Sequence, residues 1–375
     1  MRGFRGGVVS TGVVVGVVAS LIGLASPAQA DPVRFSSVPL DRWDTNGKVY
    51  ATKIVGTTVY IGGSFSQVRS PSGATSTRSN LAALNLTTGD VLSFRADTNG
   101  VVRALEGDAS TVWVGGAFTT IGGTSRSRLA AVSASSGSVR TAFSANATST
   151  VYALERGGSN LYVGGSFGSI KGVANPRLAS VDPASGGVRT GFRPAPNNTV
   201  HALVISPKAD RLYAGGTFTS IGGVTRSNVS AVNPSTGVAS GPTMASASGR
   251  GMALDISADG ALLFGALGDT ANRVTAWSTS SGSRRWYQTA NGDVQAVKYH
   301  GGNVYFGFHE GFGGNTTVRL LAADAGTGTL EAFRPTVNSF YGVWALDATD
   351  RALVAGGEFT KVSGVNTQGV AIFPG

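Results

Sequence analysis

One position in a repeated pattern carries side chains of very different chemistry. Seven alanines recur at spacings of 53, 49, 49, 51, 43 and 49 residues, and the residue before each of them is always large. Three of these neighbours are aromatic, one is an arginine and one is a histidine, a mixture that suits the wall of a specific pocket. The alanines are Ala51, Ala104, Ala153, Ala202, Ala253, Ala296 and Ala345. Their neighbours, which we predict to bind a ligand, are Tyr50, Arg103, Tyr152, His201, Met252, Gln295 and Trp344.

Other reactive residues give little support for metal binding or catalysis. The three histidines fall in different repeats or strands, and the chain has no cysteine, whereas a zinc site needs three or four converging ligands. The nearest approach to a calcium site is the sequence Asp-Thr-Asn-Gly at Asp44 and Asp97, which Asx turns also explain. No phosphate-binding loop, dinucleotide-binding loop or nucleophile elbow is present. We therefore expect no metal, no cofactor and no catalytic residue.

Acidic residues recur two positions after four of the alanines. They are Glu106, Glu155, Asp255 and Asp347. Because they recur as part of the repeat, we interpret them as residues that cap turns or link neighbouring repeats.

The repeat itself predicts the fold. The sequence Gly-Gly-x-Phe occurs five times, each time after a short apolar strand such as Thr111–Val114, and every unit reads as four strands separated by turn residues. With no helical period anywhere, this predicts an all-β chain, a seven-bladed β-propeller with four antiparallel strands per blade. The N-terminal segment 38–42 aligns with a fourth strand, so we expect it to complete the last blade and cover its bare edge.

In a propeller the first strand of each blade is innermost, which would place the seven varied residues around one mouth of a central channel. The alternative is that these large side chains fill gaps between blades, since both faces of a blade pack on neighbours. Units five and six have lost Gly-Gly-x-Phe and carry unusual residues such as Arg250 and Glu310. That change indicates either drift on an unused side or a sector reshaped for a partner.

The repeats resemble those of a known family. Val163-Gly164-Gly165-Ser166-Phe167, together with Arg128-Leu129-Ala130-Ala131-Val132, is similar to the delta-sixty-repeat type of secreted bacterial β-propeller, over the whole mature chain. That resemblance implies the fold and no particular activity. A weaker likeness to quinoprotein-type repeats lies in residues 322–328 and 281–286, but most units end in Phe where that repeat has Trp.

The N-terminal residues are typical of a signal peptide. Arg2 and Arg5 precede an apolar, valine-rich run, and Pro27–Ala30 supplies small residues at the cleavage spacing. A retained membrane anchor is the alternative for a run of this length. We expect residues 1–30 to be removed, leaving 31–375 as a single secreted domain with no membrane span.

Charge indicates the kind of partner. Without the two N-terminal arginines the chain has 28 basic and 20 acidic residues, a balance that favours anionic partners. The arginines are spread through the repeats, so we do not expect nucleic acid as a ligand. We expect a monomer.

Three functions are compatible with these features. The first is a non-catalytic binding module for a glycan, a cell-wall polymer or an extracellular protein. The second is a polysaccharide hydrolase or lyase, which rests on analogy between folds and on Asp44 and Asp97 as its candidate carboxylates. The third is a purely structural surface protein.

Overall fold

The computed structural model describes residues 1–4, 6, 7, 34–41 and 43–375. The chain divides into two units, Met1–Asp31 and Pro32–Gly375. In the first unit the described residues are exposed and have no regular secondary structure. The rest of the predicted signal peptide, with its cleavage point, lies outside the described residues.

The described part of the second unit is all β, with no helix. Its longer strands form antiparallel sheets that follow one another along the chain, and we number these sheets 1 to 7. Sheet 1 contains Lys48–Val55, Thr58–Ser64 and Leu81–Asn85; sheet 2, Val102–Gly107, Thr111–Gly116 and Leu129–Ser133; sheet 3, Val151–Gly157, Asn160–Gly165 and Leu178–Val181; sheet 4, Val200–Ile205, Leu212–Gly216 and Val229–Val232; sheet 5, Gly251–Ile256, Leu262–Leu267, Arg273–Ser278 and Arg284–Thr289; sheet 6, Val294–His300, Asn303–Phe308 and Leu320–Asp324; and sheet 7, Gly342–Thr349, Ala352–Glu358 and Val370–Pro374.

Short hairpins connect the second and third strands of sheets 1, 2, 3, 4 and 7. They pair Gln67–Arg69 with Thr75–Thr77, Thr120–Ile121 with Thr124–Ser125, Ser169–Ile170 with Val173–Ala174, Ser220–Ile221 with Val224–Thr225, and Lys361–Val362 with Val365–Asn366; the strand Asp44–Thr45 adds to the first hairpin. In the described chain no such hairpin strands occur in sheets 5 and 6, which are formed by the two repeats that lack Gly-Gly-x-Phe.

The core lies between neighbouring sheets. Tyr60 of sheet 1 shares a buried apolar cluster with Val112 of sheet 2, and Val59 of sheet 1 shares another with Val354 of sheet 7. Both faces of the second strands are therefore buried, which explains why these strands read as continuous apolar runs. The first strand of each sheet contacts the first strand of the next, and the first strand of sheet 7 contacts that of sheet 1.

The two glycines of Gly-Gly-x-Phe have separate packing roles. A Cβ on Gly115 would lie 2.6 Å from Cγ1 of Val151 in the first strand of sheet 3, so the first glycine lets the next sheet approach. A Cβ on Gly116 would lie 2.1 Å from the backbone oxygen of Val101 in its own sheet. Phe118, which ends this copy of the motif, is fully buried.

Among the described residues, a regular fourth strand, predicted for every unit, is present only in sheet 5. In five other units the corresponding segment makes a single bridge to the third strand, at Leu84–Val91, Val132–Val139, Val181–Val188, Val232–Ala239 and Ala323–Leu330. The segments turn away after this bridge; in unit three the N–H of Phe192 donates back to the carbonyl of Arg189, at 3.1 Å. At sheet 7 the bridging residue is Leu40 of the N-terminal segment, whose N–H donates to the carbonyl of Ile372 at 2.7 Å.

Candidate functional site

Each of the seven first strands contains a β-bulge at the same place. In sheet 1, Val49 pairs with Gly63 and Ala51 pairs with Gly62, so Tyr50 is left without a partner. The other sheets repeat this irregularity, and the unpaired residue is in every case the varied residue before the alanine: Arg103, Tyr152, His201, Met252, Gln295 and Trp344. A bulge turns one side chain out of the regular alternation of a strand. The same bulge therefore presents side chains of six different types at seven equivalent positions.

All seven predicted residues line one cavity of about 340 Å³. Arg250 and Ala253 complete its wall. A second cavity of about 210 Å³ shares Tyr152, His201, Met252, Ala253 and Trp344 with the first, and it is lined further along the strands by the recurring alanines and the residues that follow them. The small alanines therefore line the second, smaller cavity, and the large residues before them line the first, larger one.

Aromatic contacts organise one side of the cavity wall. The rings of Tyr50 and Trp344 meet edge to face, with centroids 5.7 Å apart. The guanidinium of Arg103 lies 4.0 Å from the centroid of Tyr50, a cation–π distance. Tyr152 and His201 form a second pair at 5.1 Å. Gln295 is the most buried of the seven, and its amide nitrogen faces the carbonyl oxygen of Tyr341 at 2.8 Å.

The cavity contains one arginine whose charge is balanced and one whose charge is not. Arg250 lies 3.3 Å from the carboxylates of both Asp269 and Asp293. Arg103 has no carboxylate within 4.0 Å in the described part of the chain. Burial, together with the charge of Arg250, lowers the pKa of His201 to about 4, so this imidazole is neutral at neutral pH. Arg103 is therefore the cation at the cavity that remains to attract an anionic group.

Two N–H groups of cavity residues lack hydrogen-bond acceptors among the described atoms. They are the indole Nε1 of Trp344 and the guanidinium Nε of Arg250. A buried donor without an acceptor costs free energy, and such groups are normally satisfied by water or a ligand. Arg250 was not among the pocket residues predicted from the repeat, because it lies two positions before the bulge residue Met252.

The acidic residues that follow the alanines link consecutive sheets. Asp347 of sheet 7 accepts a hydrogen bond from the backbone N–H of Ile54 in sheet 1, at 2.7 Å. Glu155 accepts from Ile205 at 3.0 Å, and Asp255 accepts from Tyr299 at 2.7 Å, each across to the next sheet. These bonds confirm the predicted linking role for three of the four residues. The fourth residue, Glu106 of sheet 2, also links neighbouring sheets, through an ion pair with Lys53 of sheet 1 at 2.8 Å.

The carboxylates proposed for catalysis have structural partners elsewhere. Asp44 pairs with Arg69, and Asp97 accepts from Arg95 and from the N–H of Ser79, each at 2.8 Å. Neither aspartate lines the cavity. The asparagine of the Asp-Thr-Asn-Gly sequence stabilises a hairpin. Oδ1 of Asn46 accepts hydrogen bonds from the backbone at the start of the hairpin between the second and third strands of sheet 1. No group of three His, Asp or Glu side chains able to hold a metal occurs among the residues described.

Two exposed aromatic residues beside the cavity were not predicted. Phe340 is 57% exposed and Tyr341 is 46% exposed. The Tyr341 ring lies 6.5 Å from Trp344, and the Phe340 ring lies 5.7 Å from His309. A signal was available in the sequence, because this loop carries two aromatics where the equivalent loops have small polar residues such as Asn99-Gly100.

Comparison with known proteins defines the fold and no more. No protein-family model matches the sequence, and no curated protein matches it. Among solved structures, the WD40 β-propeller domain of Doa1 is similar, with a TM-score of 0.61 at 10% identity over 91% of this chain and 97% of that domain. The fold is a β-propeller. The computationally designed protein Ika8 is also similar, with a TM-score of 0.55 at 14% identity over 91% of this chain and all of that protein. No helix in the described part of this propeller is long and apolar enough to cross a membrane.

Proposed function

We propose that this chain is an exported, non-catalytic binding module, a closed seven-bladed β-propeller that holds a carbohydrate at one mouth of its central channel. Closure is supported by the contact between the first strands of sheets 7 and 1. It is also supported by Leu40, which pairs with sheet 7 where other units use their own fourth segment. Export rests on the signal-like residues 1–30, so a protein recovered from culture medium should begin at Asp31 by mass spectrometry; retention of residues 1–30 would contradict it.

The observation that carries the binding proposal is the single cavity lined by seven large side chains of six residue types, each on an equivalent bulge. The alanine is constant in all seven repeats, whereas the residues before it include a cation, aromatic rings, a thioether and an amide. Aromatic faces suit the C–H groups on one side of a sugar ring, because the face of an aromatic ring is electronegative. Arg103 favours a sugar that carries a carboxylate.

The hydrolase or lyase alternative has less support. A glycosidase needs two carboxyl groups on either side of the scissile bond, and its candidates Asp44 and Asp97 are both held by arginines away from the cavity. The delta-sixty-repeat resemblance remains a prediction and adds no activity to the proposal. The reshaped sector in units five and six also remains a prediction, although Arg250 of unit five lies in the cavity wall.

A glycan-array and cell-wall-polymer screen with residues 31–375 tests the proposal. We expect retention of an acidic glycan by the wild type, and a loss of affinity of about 10- to 100-fold in Trp344→Ala and in Tyr152→Ala, because both rings line the cavity. Tyr287→Ala is the matched control, since Tyr287 is an exposed aromatic on the fourth strand of sheet 5 and lines no part of the cavity. Equal binding by all four proteins, or no glycan retained by the wild type, would reject the proposal.

A further inference from the structure

The exposed rings of Phe340 and Tyr341 form an aromatic ledge at the edge of the cavity. Their centroids are 5.1 Å apart and their planes are nearly perpendicular, at 87°. Large exposed apolar side chains are few in the described second unit, and two adjacent ones beside a cavity mark a candidate binding surface. The ledge is continuous with the site, because Tyr341 contacts Trp344 and Trp344 contacts Tyr50.

A groove of about 370 Å³, lined mainly by polar residues, lies next to the ledge and includes Ser339, the residue before Phe340. Lys48 joins the two, since its ammonium group lies 5.8 Å from the centroid of Tyr341 and its side chain lines the groove. Lys48 pairs with Glu358 at 2.8 Å inside the groove. The remaining polar wall includes Ser339, Gln368 and Asn338, of which Asn338 is already engaged with the hairpin of sheet 7.

These features form one path that leads outward from the cavity. Aromatic faces come first, followed by groups that donate hydrogen bonds and groups that accept them. We infer that the path is a second subsite and that the ligand is a linear oligosaccharide, with one sugar in the cavity and the following sugars on Tyr341 and in the groove. This inference rests on the proposed function of the cavity. A single sugar bound in the cavity would leave the rings of Phe340 and Tyr341 exposed to water. Further sugars of the same chain would cover these rings, so no additional partner molecule is needed.

A protein partner suits this surface less well. The rims of protein interfaces are polar and their centres are apolar and flat or pocketed, but here the two exposed rings border a groove whose wall is a lysine–glutamate pair and amide groups. Hydroxyl groups at regular intervals along a sugar chain can both donate to Glu358 and accept from Lys48. We therefore favour the oligosaccharide and keep the peptide as a test outcome.

Calorimetric titration with oligosaccharides of defined length tests the second subsite. The probes are galacturonic acid and its linear oligomers of two, four and six units, with cello-oligosaccharides of the same lengths as a neutral series and deca-glutamate as an acidic peptide. For the wild type we expect the dissociation constant of the tetramer to be at least tenfold lower than that of the monosaccharide. In Phe340→Ser/Tyr341→Ser the monosaccharide should bind as before, and the advantage of the tetramer should fall to about threefold or less.

Controls separate the two proposals from each other and from misfolding. Tyr287→Ser should keep the full length dependence, and Tyr341→Phe should retain most of it because the aromatic face remains. Equal affinity for all lengths in the wild type, or unchanged length dependence in the double variant, would overturn the second subsite and leave the cavity proposal intact. Failure of both sugar series to bind would overturn both. Tighter binding of deca-glutamate than of any sugar would replace the oligosaccharide by a peptide.

Discussion

Glu155, on the first strand of sheet 3, lies among charges of both signs. Burial, reinforced by the neighbouring carboxylates of Glu106 and Asp255, raises its pKa to about 8. Its acceptor bond from Ile205 and the charge of Lys53 oppose this shift without cancelling it. In the unfolded chain the same carboxyl group titrates near 4.5. Between these two values the folded protein holds a proton that the unfolded chain has released.

This difference predicts that Glu155 makes the protein less stable as the pH rises. Its contribution is fully present below pH 4.5 and is lost as the pH passes 8. From pH 6.5 to 8 we expect a loss of about 2 kcal/mol from this residue. His201, whose pKa is lowered, contributes in the opposite direction but only below pH 6.5. Urea unfolding at several pH values should therefore show a steeper decline for the wild type than for Glu155→Gln.

The glutamine variant is informative because it keeps an oxygen that can accept from Ile205. The difference in unfolding free energy between wild type and variant should change across this window, and parallel pH profiles would show that Glu155 is ionised in the folded state. Glu358→Gln is a suitable control, since that carboxylate pairs with Lys48 near the surface. Its profile should follow the wild type between pH 6.5 and 8.

At the scale of the strand, the bulge connects the repeat to the site. The second glycine of Gly-Gly-x-Phe faces the bulge, and in sheet 2 a Cβ on Gly116 would come within 2.1 Å of the Val101 oxygen. We expect Gly116→Ala to destabilise the fold by about 3 kcal/mol or more, because the contact is with backbone that cannot turn aside. Denaturant unfolding measures this cost. Opening the bulge would also move Arg103, so the remaining folded protein should bind an acidic ligand more weakly.

Gly191→Ala is the matched control for the glycine substitution. Nothing lies within 4 Å of a Cβ at Gly191, and its backbone is outside the left-handed region. A change within about 0.5 kcal/mol is expected there. If Gly116→Ala is equally mild, the bulge is not sterically dependent on the glycine.

The repeat predicts the strands and the site positions, whereas the local backbone geometry is visible only in the structure. Comparing the units identified Tyr50 and its six equivalents, because one variable position stood beside an invariant alanine. The bulge that exposes them leaves no mark in the sequence, since an unpaired residue in a strand looks like a paired one. The fourth strands were over-predicted for a similar reason: segments such as Arg189–Phe192 have strand-like composition but turn back after one bridge. The ledge at Phe340 was missed because a single unit carries aromatic residues at this loop position, and comparing the units for constant positions does not reveal it.

At the scale of the whole molecule, equivalent arginines of three repeats have a structural role. Arg78 donates to the carbonyls of Leu92 and Phe94, Arg126 to that of Thr141, and Arg226 to those of Ser240 and Gly241. Each of these side chains reaches from a hairpin to the segment that follows the third strand. The irregular segments thus have their free carbonyls satisfied by guanidinium groups. The positive charge is consequently spread around the molecule, as the sequence indicated.

The N-terminal segment supplies the last prediction. Phe35 is 5% exposed and lies 5.2 Å from Tyr305 of sheet 6, in a cluster that also contains Phe373 of sheet 7. If this segment closes the proposed ring, Phe35→Ala should lower the unfolding free energy of the whole domain by about 3–5 kcal/mol, because it leaves a cavity between two sheets. Chemical denaturation followed by tryptophan fluorescence and by far-ultraviolet circular dichroism should show one coincident transition at a lower midpoint.

Val38→Ala is the control in the same segment, since Val38 is 52% exposed and should change the midpoint little. A peripheral segment would behave differently. Its loss would make residues near Leu40 sensitive to protease while the midpoint of the domain stayed where it was, because local opening does not require global unfolding. That result would contradict closure by the N-terminal segment. A shared shift of both probes would instead mean that the sheets unfold as one unit. The short pairing of Leu40 with Ile372 and the packing of Phe35 would then stabilise every sheet together, as expected when an edge strand is covered.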